Sequence, residues 1–149
     1  YVISIYIENE VADKVKINSQ ILKKLSSLVF VSESFNVGMV TYIFTDDNSL
    51  SSLKKKFFGL DVFTDVMAFN LEDENNELEG EVYISFDRVK DNSKAFNVDL
   101  EQEFKRVIIH GTLHLVGYED KSSLEKNIMT KLENKYINQV PERLIEVWN

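Results

Sequence analysis

The segment Val107-Ile-Ile-His-Gly-Thr-Leu-His-Leu-Val-Gly-Tyr-Glu-Asp120 constrains the chain more than any other. It is apolar enough to be buried, yet it carries both of the protein's histidines, His110 and His114, four residues apart. A helix start lies upstream. Asp99 can cap it, and Glu101, Gln102 and Glu103 follow in the first turn, where unpaired N–H groups favour acceptors and negative charge. Phe104, Val107, Ile108, Gly111 and Leu115 recur at helical spacing and make the core-facing stripe. Residues i and i+4 sit one turn apart on one ridge, so the two imidazoles project side by side. Gly117 ends the helix, and the turn beyond it can return Glu119 or Asp120 towards them. Two imidazoles and an oxygen ligand form a three-ligand site with one position open, as a catalytic zinc requires. The competing reading is a packed, hydrogen-bonded histidine pair without metal. The shared ridge and the adjacent carboxylates favour the metal.

The rest of the chain supplies a scaffold of mixed type. Runs rich in β-branched and aromatic residues at Val2–Ile7, Val37–Thr45, Phe63–Phe69 and Glu81–Phe86 predict four strands. A helix is predicted from Asn18 or Ser19 to about Ser34, burying Ile21, Leu22, Leu25, Leu28 and Val29. A second runs from Ser49 to about Phe58, behind an Asp46-Asp47-Asn48 turn and closed by Gly59. After the histidine helix, Ser122 or Ser123 caps another, with Leu124, Ile128, Met129, Leu132 and Tyr136 facing inward. Pro141 breaks it and opens a short last helix bearing Leu144, Ile145 and Trp148. Asn70–Glu79 reads as an acidic connector with no core-forming residues, closing a hairpin between the last two strands. The expectation is one α+β domain over residues 1–149, a mixed four-stranded sheet packed with about five helices. Crossover helices favour parallel or crossover pairing among the first three strands, and the hairpin makes the last two antiparallel.

Composition narrows the function. With no cysteine there is no disulfide framework, no thiolate zinc site and no cysteine nucleophile. No apolar run is long enough to span a bilayer and no signal-peptide pattern opens the chain, so the expected location is the cytoplasm, with no membrane partner. The opening at Tyr1 rather than a methionine implies that a few residues have been trimmed. A formal net charge of −8 counts against casual polyanion binding. A nucleic-acid enzyme of this balance must confine its basic groups to one surface or rely on a docking partner.

His110-Gly-Thr-Leu-His114-Leu-Val-Gly-Tyr-Glu-Asp120 resembles the signature of the YbeY family of metal-dependent endoribonucleases, the rRNA maturation factors, which reads His-Gly-x-Leu-His-Leu-x-Gly-Tyr-Asp-His. Thr64-Asp-Val-Met-Ala-Phe69 is similar to the family's Thr-Asp-Val-Leu-Ser-Phe strand, Gly80-Glu-Val-Tyr-Ile-Ser85 to its Gly-Asp-Ile-x-Ile-Ser strand, and Met129-Thr-Lys-Leu-Glu133 to its closing Met-x-x-x-Glu helix. Order and spacing agree from about residue 50 to 135. The resemblance implies a zincin-like metal-site helix and one zinc ion on His110, His114 and Asp120, which are then also the catalytic residues. It implies a single-strand-directed endoribonuclease of rRNA maturation and ribosome quality control, including small-subunit rRNA 3′-end processing. The implied partners are ribosomal RNA precursor and the ribosome or small-subunit assembly proteins.

The departures matter. Asp120 stands where the pattern has its third histidine; a carboxylate keeps three ligands but makes the site harder and one charge more negative. Glu119 replaces the pattern's Asp. Phe57-Phe58-Gly59 stands where the family places a substrate-contacting Arg, and Ala68 where it has Ser. Lys54, Lys55 and Lys56 can supply substrate-binding charge instead, or form a solvated helix face. Asp65 and Glu119 are candidates to support the metal ligands from behind, as outer carboxylates do for ligating imidazoles. Asp65 can equally cap a turn or bond backbone groups, and Glu81 has the same ambiguity.

A three-ligand zinc could activate water against phosphorus or stabilise attack by a neighbouring 2′-OH, and the sequence favours neither. Proteases of the His-Glu-x-x-His kind place a glutamate after the first histidine, where this chain has Gly111, a residue suited to close helix packing. Two other readings stand beside the nuclease. One is a zinc hydrolase of another class, such as a small peptidase; the other is a ribosome-assembly binding factor with a structural metal.

Overall fold

The computed structural model describes residues 2–60, 62–72 and 77–148. In chain order the elements are β1 (Val2–Asn9), β2 (Val15–Ile17), α1 (Ser19–Ser32), β3 (Val37–Thr45), α2 (Asp47–Phe58), β4 (Val66–Asn70), β5 (Leu78–Ser85), α3 (Phe86–Ala95), α4 (Leu100–Leu115), α5 (Ser123–Gln139) and β6 (Ile145–Val147). The main sheet has the order β1-β3-β5-β4. β1, β3 and β5 run parallel, and β4 closes one edge antiparallel to β5. A mixed four-stranded sheet with five helices is the expected α+β fold among the described residues.

α4 is the axis of the packing. Leu100, Gln102, Arg106, His110 and His114 are its only residues that are not buried, and the last four of these repeat every fourth position. The helix is therefore enclosed by α1, α3, α5, β4 and β5 and left open along a single ridge. Its approach to the sheet depends on Gly111. A Cβ there would lie 2.6 Å from Val82 Cγ1 and 3.0 Å from Val66 Cγ2, well inside contact distance. Gly80 on β5 serves the end of the helix in the same way, beneath the Leu115 methyls. Through the middle of the core runs a chain of hydroxyls. Thr112 Oγ1 donates to the Ile108 carbonyl at 2.7 Å, so Tyr42 Oη donates to Thr112 and accepts from Ser26, each at 2.7 Å. One phenol thus links α1, β3 and α4 with every polar atom satisfied.

Several expectations are corrected. Residues 144–148 do not form a helix: β6 pairs antiparallel with β2, a three-residue strand that local pattern did not reveal. The cause lies on α4. Asp99 makes no side-chain cap bond, and Glu101 does not serve its own helix end. The Glu101 carboxylate instead accepts the Leu144 and Ile145 N–H groups at 2.7 and 3.0 Å. Buried Lys105, 3.3 Å from Glu101, donates to the Val140 and Glu142 carbonyls. This internal ion pair draws the C-terminal chain out straight. The α5 stripe holds in part: Met129 and Tyr136 are buried and Leu132 packs on the core as expected, whereas Leu124 and Ile128 are exposed and Glu133 and Ile137 are buried instead.

Phe86–Ala95 forms α3, capped by Ser85, where no helix was expected; only Phe86, Val89 and Ser93 of it are buried. The third expected strand begins at Val66, leaving Phe63 exposed beneath the Arg88 guanidinium. The expected acidic connector is shortened at both ends, since β4 reaches Asn70 and β5 starts at buried Leu78; its residues 73–76 lie outside the described residues.

Burial pushes the Tyr42 phenol up to about 12 from an ordinary 10.0, against the lowering effect of its two hydroxyl partners. The neutral form is the one the fold favours, so this contribution is complete below pH 10 and is lost as pH climbs through about 12. Tyr42→Phe should cost about 1–2 kcal/mol at neutral pH, because Ser26 loses its partner, and should flatten the alkaline fall in stability. Denaturant titrations across that pH range check both outcomes.

Candidate metal centre

The centre is assembled from the open ridge of α4 and the turn that follows it. Val116 ends the helix, and Gly117 reverses the chain with φ +107. Its N–H donates to the His114 carbonyl at 3.1 Å, and that of Tyr118 to the Leu113 carbonyl at 3.0 Å, the paired bonds of a glycine-closed helix end. This reversal brings Asp120 back over the ridge. Its Oδ2 lies 3.2 Å from His110 Nε2 and 3.6 Å from His114 Nε2, and the two Nε2 atoms are 3.0 Å apart. One donor atom from each of the three residues falls within 4.8 Å of the others.

The other face of each ring fixes the proton. His114 Nδ1 is 2.9 Å from the Tyr118 carbonyl, which can only accept, so Nδ1 carries the hydrogen. His110 Nδ1 is 2.7 Å from Glu133 Oε2, a carboxylate that accepts in the same way. In the neutral rings both Nε2 atoms are then bare lone pairs, aimed at each other and at a carboxylate oxygen. Such a set is repulsive by itself and complementary to a divalent cation. The histidine side chains are about a quarter exposed, 24% and 26%, and open to solvent on one side.

Glu133 is the residue whose part in the site the sequence reading left unassigned. It is buried on α5, takes the His110 N–H with one oxygen and Arg106 Nη1 at 3.1 Å with the other. Its place in the Met129–Glu133 motif was the available signal. A second carboxylate holds the turn. Glu33, at the end of α1, accepts the Tyr118 hydroxyl at 2.6 Å and the Tyr136 hydroxyl with its other oxygen. Tyr118 thus ties α1 to the carbonyl that orients His114.

The remaining candidates are dispersed. Asp65 shares a small cavity with Glu103, Arg106, His110 and Glu133. Its carboxylate meets Asn92 at 3.3 Å and its carbonyl accepts the Ser85 N–H, so the direct contact to the imidazole belongs to Glu133. Glu119 is exposed and lines a larger cleft with Lys54, Phe58, His114, Asp120 and Lys121. Of the three lysines only Lys54 lines this cleft; Lys55 and Lys56 are exposed, and Lys56 Nζ lies 5.3 Å from the centre of the Phe57 ring. Ala68 lines the cleft as well, and Glu81 sits half-buried on β5.

Burial works against the His110 cation, but the Glu133 hydrogen bond and the charges of Glu133, Asp120 and Asp65 outweigh it and raise its pKa above 6.5. In the metal-free protein the stabilisation of that cation is present at low pH and disappears as pH rises through the raised value. A metal needs the neutral ring, so cation affinity should fall as pH drops through the same range. Glu133→Gln keeps an acceptor for Nδ1 and removes the charge. It should lower cation affinity by roughly 10–100-fold near neutrality and move the acid loss of metal to lower pH. Zinc titrations at a series of pH values check this. Glu33→Ala should also weaken the cation although Glu33 is no ligand; calorimetry showing unchanged affinity would mean the turn holds Asp120 unaided.

The sequence profile of the family Endoribonuclease YbeY matches residues 6–141. The endoribonuclease YbeY of Flavobacterium johnsoniae is 40% identical over 120 residues, 80% of this chain and 86% of that protein. Its counterpart in Flavobacterium psychrophilum is 40% identical over 109 residues, 73% and 77% of the two chains. A solution structure of a Thermotoga maritima protein superposes with a TM-score of 0.61 at 32% identity, covering 93% of this chain and 89% of that one. Agreement this extensive, in sequence and in backbone, makes the chain a member of the endoribonuclease YbeY family.

Proposed function

We propose that this chain cuts single-stranded RNA with one zinc ion held by His110, His114 and Asp120, and that its substrate is ribosomal RNA precursor. A role at the 3′ end of small-subunit rRNA, in company with the ribosome or its assembly proteins, follows from the family. The observation that carries the reading is the convergence of the two Nε2 atoms and a carboxylate oxygen on one point. Zinc bound by such a set lowers the pKa of a water and polarises a phosphoryl oxygen. The chain's own residues do the rest. Glu133 and the Tyr118 carbonyl keep both Nδ1 atoms protonated and the rings fixed. Lys54 and Lys121 line the cleft beside His114 and offer charge to phosphate on a protein that is otherwise strongly acidic.

The peptidase alternative is disfavoured by Gly111. The position that would hold a general-base glutamate is pressed against Val82 and Val66 and has no room for even a methyl. A purely structural metal is disfavoured by the open side of the site, because structural zinc is closed by four protein ligands.

Zinc-loaded protein incubated with single-stranded RNA should cleave it. His114→Ala should lose both stoichiometric zinc and cleavage while keeping its fold, since the side chain lies on the open ridge. Asp120→Ala should weaken zinc and Asp120→His tighten it. Cleavage that persists unchanged in His114→Ala, or equal zinc affinity in all three Asp120 forms, would overturn the reading.

A further inference from the structure

Several large apolar side chains at the end of α2 and closely following it in sequence are exposed. Phe57, Phe58, Leu60, Val62 and Phe63 fall within seven positions, and each is more than half exposed. Phe58 and Leu60 also line the cleft that contains His114, Asp120, Lys54 and Lys121. Phe58 is not a loose side chain. Its ring stacks on Phe69 with centroids 6.1 Å apart and planes 23° from parallel, and Phe69 is wedged edge-on against Tyr83 and Phe57. β4 and β5 therefore brace an aromatic ring that remains 56% exposed beside the metal ligands.

We infer that Phe58, with Leu60 beside it, is a base-binding shelf. An unpaired RNA base stacks there while the neighbouring phosphates lie between Lys54, Lys121 and the metal ligands. This rests on the nuclease reading for the identity of the ligand and adds to it a subsite that reads the base face. Charge complementarity decides the occupant. The cleft sets Lys54 and Lys121 against Glu119 and Asp120, and the cation of the nuclease reading tips that balance to positive beside the aromatic ring. An occupant with a flat apolar face joined to negative charge fits both, as a single-stranded nucleotide does and an apolar protein segment does not. Stacking on an aromatic ring requires an unstacked base, so the shelf selects single strands over duplex and tolerates any sequence.

The test uses the full chain and a fluorescent single-stranded RNA twelve-mer, alongside the same backbone carrying abasic sites. Phe58→Ala should weaken binding of the base-bearing RNA by roughly ten-fold, with Phe58→Tyr and Phe58→Trp restoring it. Abasic RNA should bind the unaltered protein as weakly as base-bearing RNA binds Phe58→Ala, and should lose nothing further in that variant. Circular dichroism and thermal melting establish that each variant is folded. The shelf is overturned if Phe58→Ala binds base-bearing RNA as tightly as the parent. It is equally overturned if both RNAs lose affinity alike, or if only a protein partner's binding responds to the substitution. Cleavage by parent and His114→Ala, measured on the same RNA, reports separately on the nuclease reading. Active parent enzyme with a Phe58-independent affinity sinks the shelf alone, whereas Phe58-dependent binding without cleavage sinks only the nuclease.

Discussion

When both rings are neutral, the two imidazole nitrogens 3.0 Å apart face each other as lone pairs, an arrangement the rings would not choose for themselves. Neutral histidines left to solvent would rotate so that an N–H of one met the lone pair of the other. Here that escape is closed from behind, because each Nδ1 is committed to an acceptor that a separate element supplies. Glu133 comes from α5 and the Tyr118 carbonyl from the turn. The carboxylate of Glu33, reaching both Tyr118 and Tyr136, ties these two supports to α1. Three elements thus spend polar contacts on keeping one pair of lone pairs exposed. A fold that only needed to satisfy two histidines would have used those acceptors differently.

The same constraint explains why α4 is buried so completely. A ligand set must be held to within a fraction of an ångström, and a helix pressed on all sides but one cannot roll. Gly111 lets the sheet approach on one side, Thr112 is tied through Tyr42 to Ser26 on another, and the Glu101–Lys105 pair binds the C-terminal segment to its first turns. Burying that ion pair is costly in isolation. It is made tolerable because the carboxylate accepts two backbone N–H groups and the ammonium donates to two carbonyls, leaving few unsatisfied valences.

What could be read in the sequence was what local period encodes. The i, i+4 ridge of His110 and His114, the Gly117 reversal, the four strands of the main sheet and the stripe of α4 all follow from spacing over a few residues. What escaped is what distant contacts decide. β2 and β6 are three residues each and exist only because segments some 130 positions apart meet. α3 has two buried apolar residues in ten, too few to distinguish it from a polar linker. On α5 the more hydrophobic stripe, Leu124 with Ile128, lost to the one that puts Glu133 against His110 and Arg106. Hydrophobic periodicity cannot see a buried carboxylate whose partners lie on another helix. The lysine run shows the same limit, since only its first member faces the cleft.

An aspartate among the ligands alters how such a centre meets its substrate. Two neutral imidazoles leave a divalent cation with its full charge, and the Asp120 carboxylate removes one unit of it. The proposed site is therefore less attractive to phosphate than an all-imidazole site, on a protein whose net charge of −8 already repels RNA at long range. Both effects weaken the Coulombic part of binding, Glu119 in the cleft adds to them, and among the described residues of the cleft Lys54 and Lys121 oppose them. Affinity that cannot come from charge must come from contacts that ignore it. An exposed aromatic ring braced on Phe69 beside the ligands is such a contact, and stacking is screened neither by salt nor by the protein's own acidity. On the proposed reading, the acidic surface and the apolar shelf are two sides of one compromise: long-range attraction is given up, and recognition shifts to the short-range fit of an unpaired base.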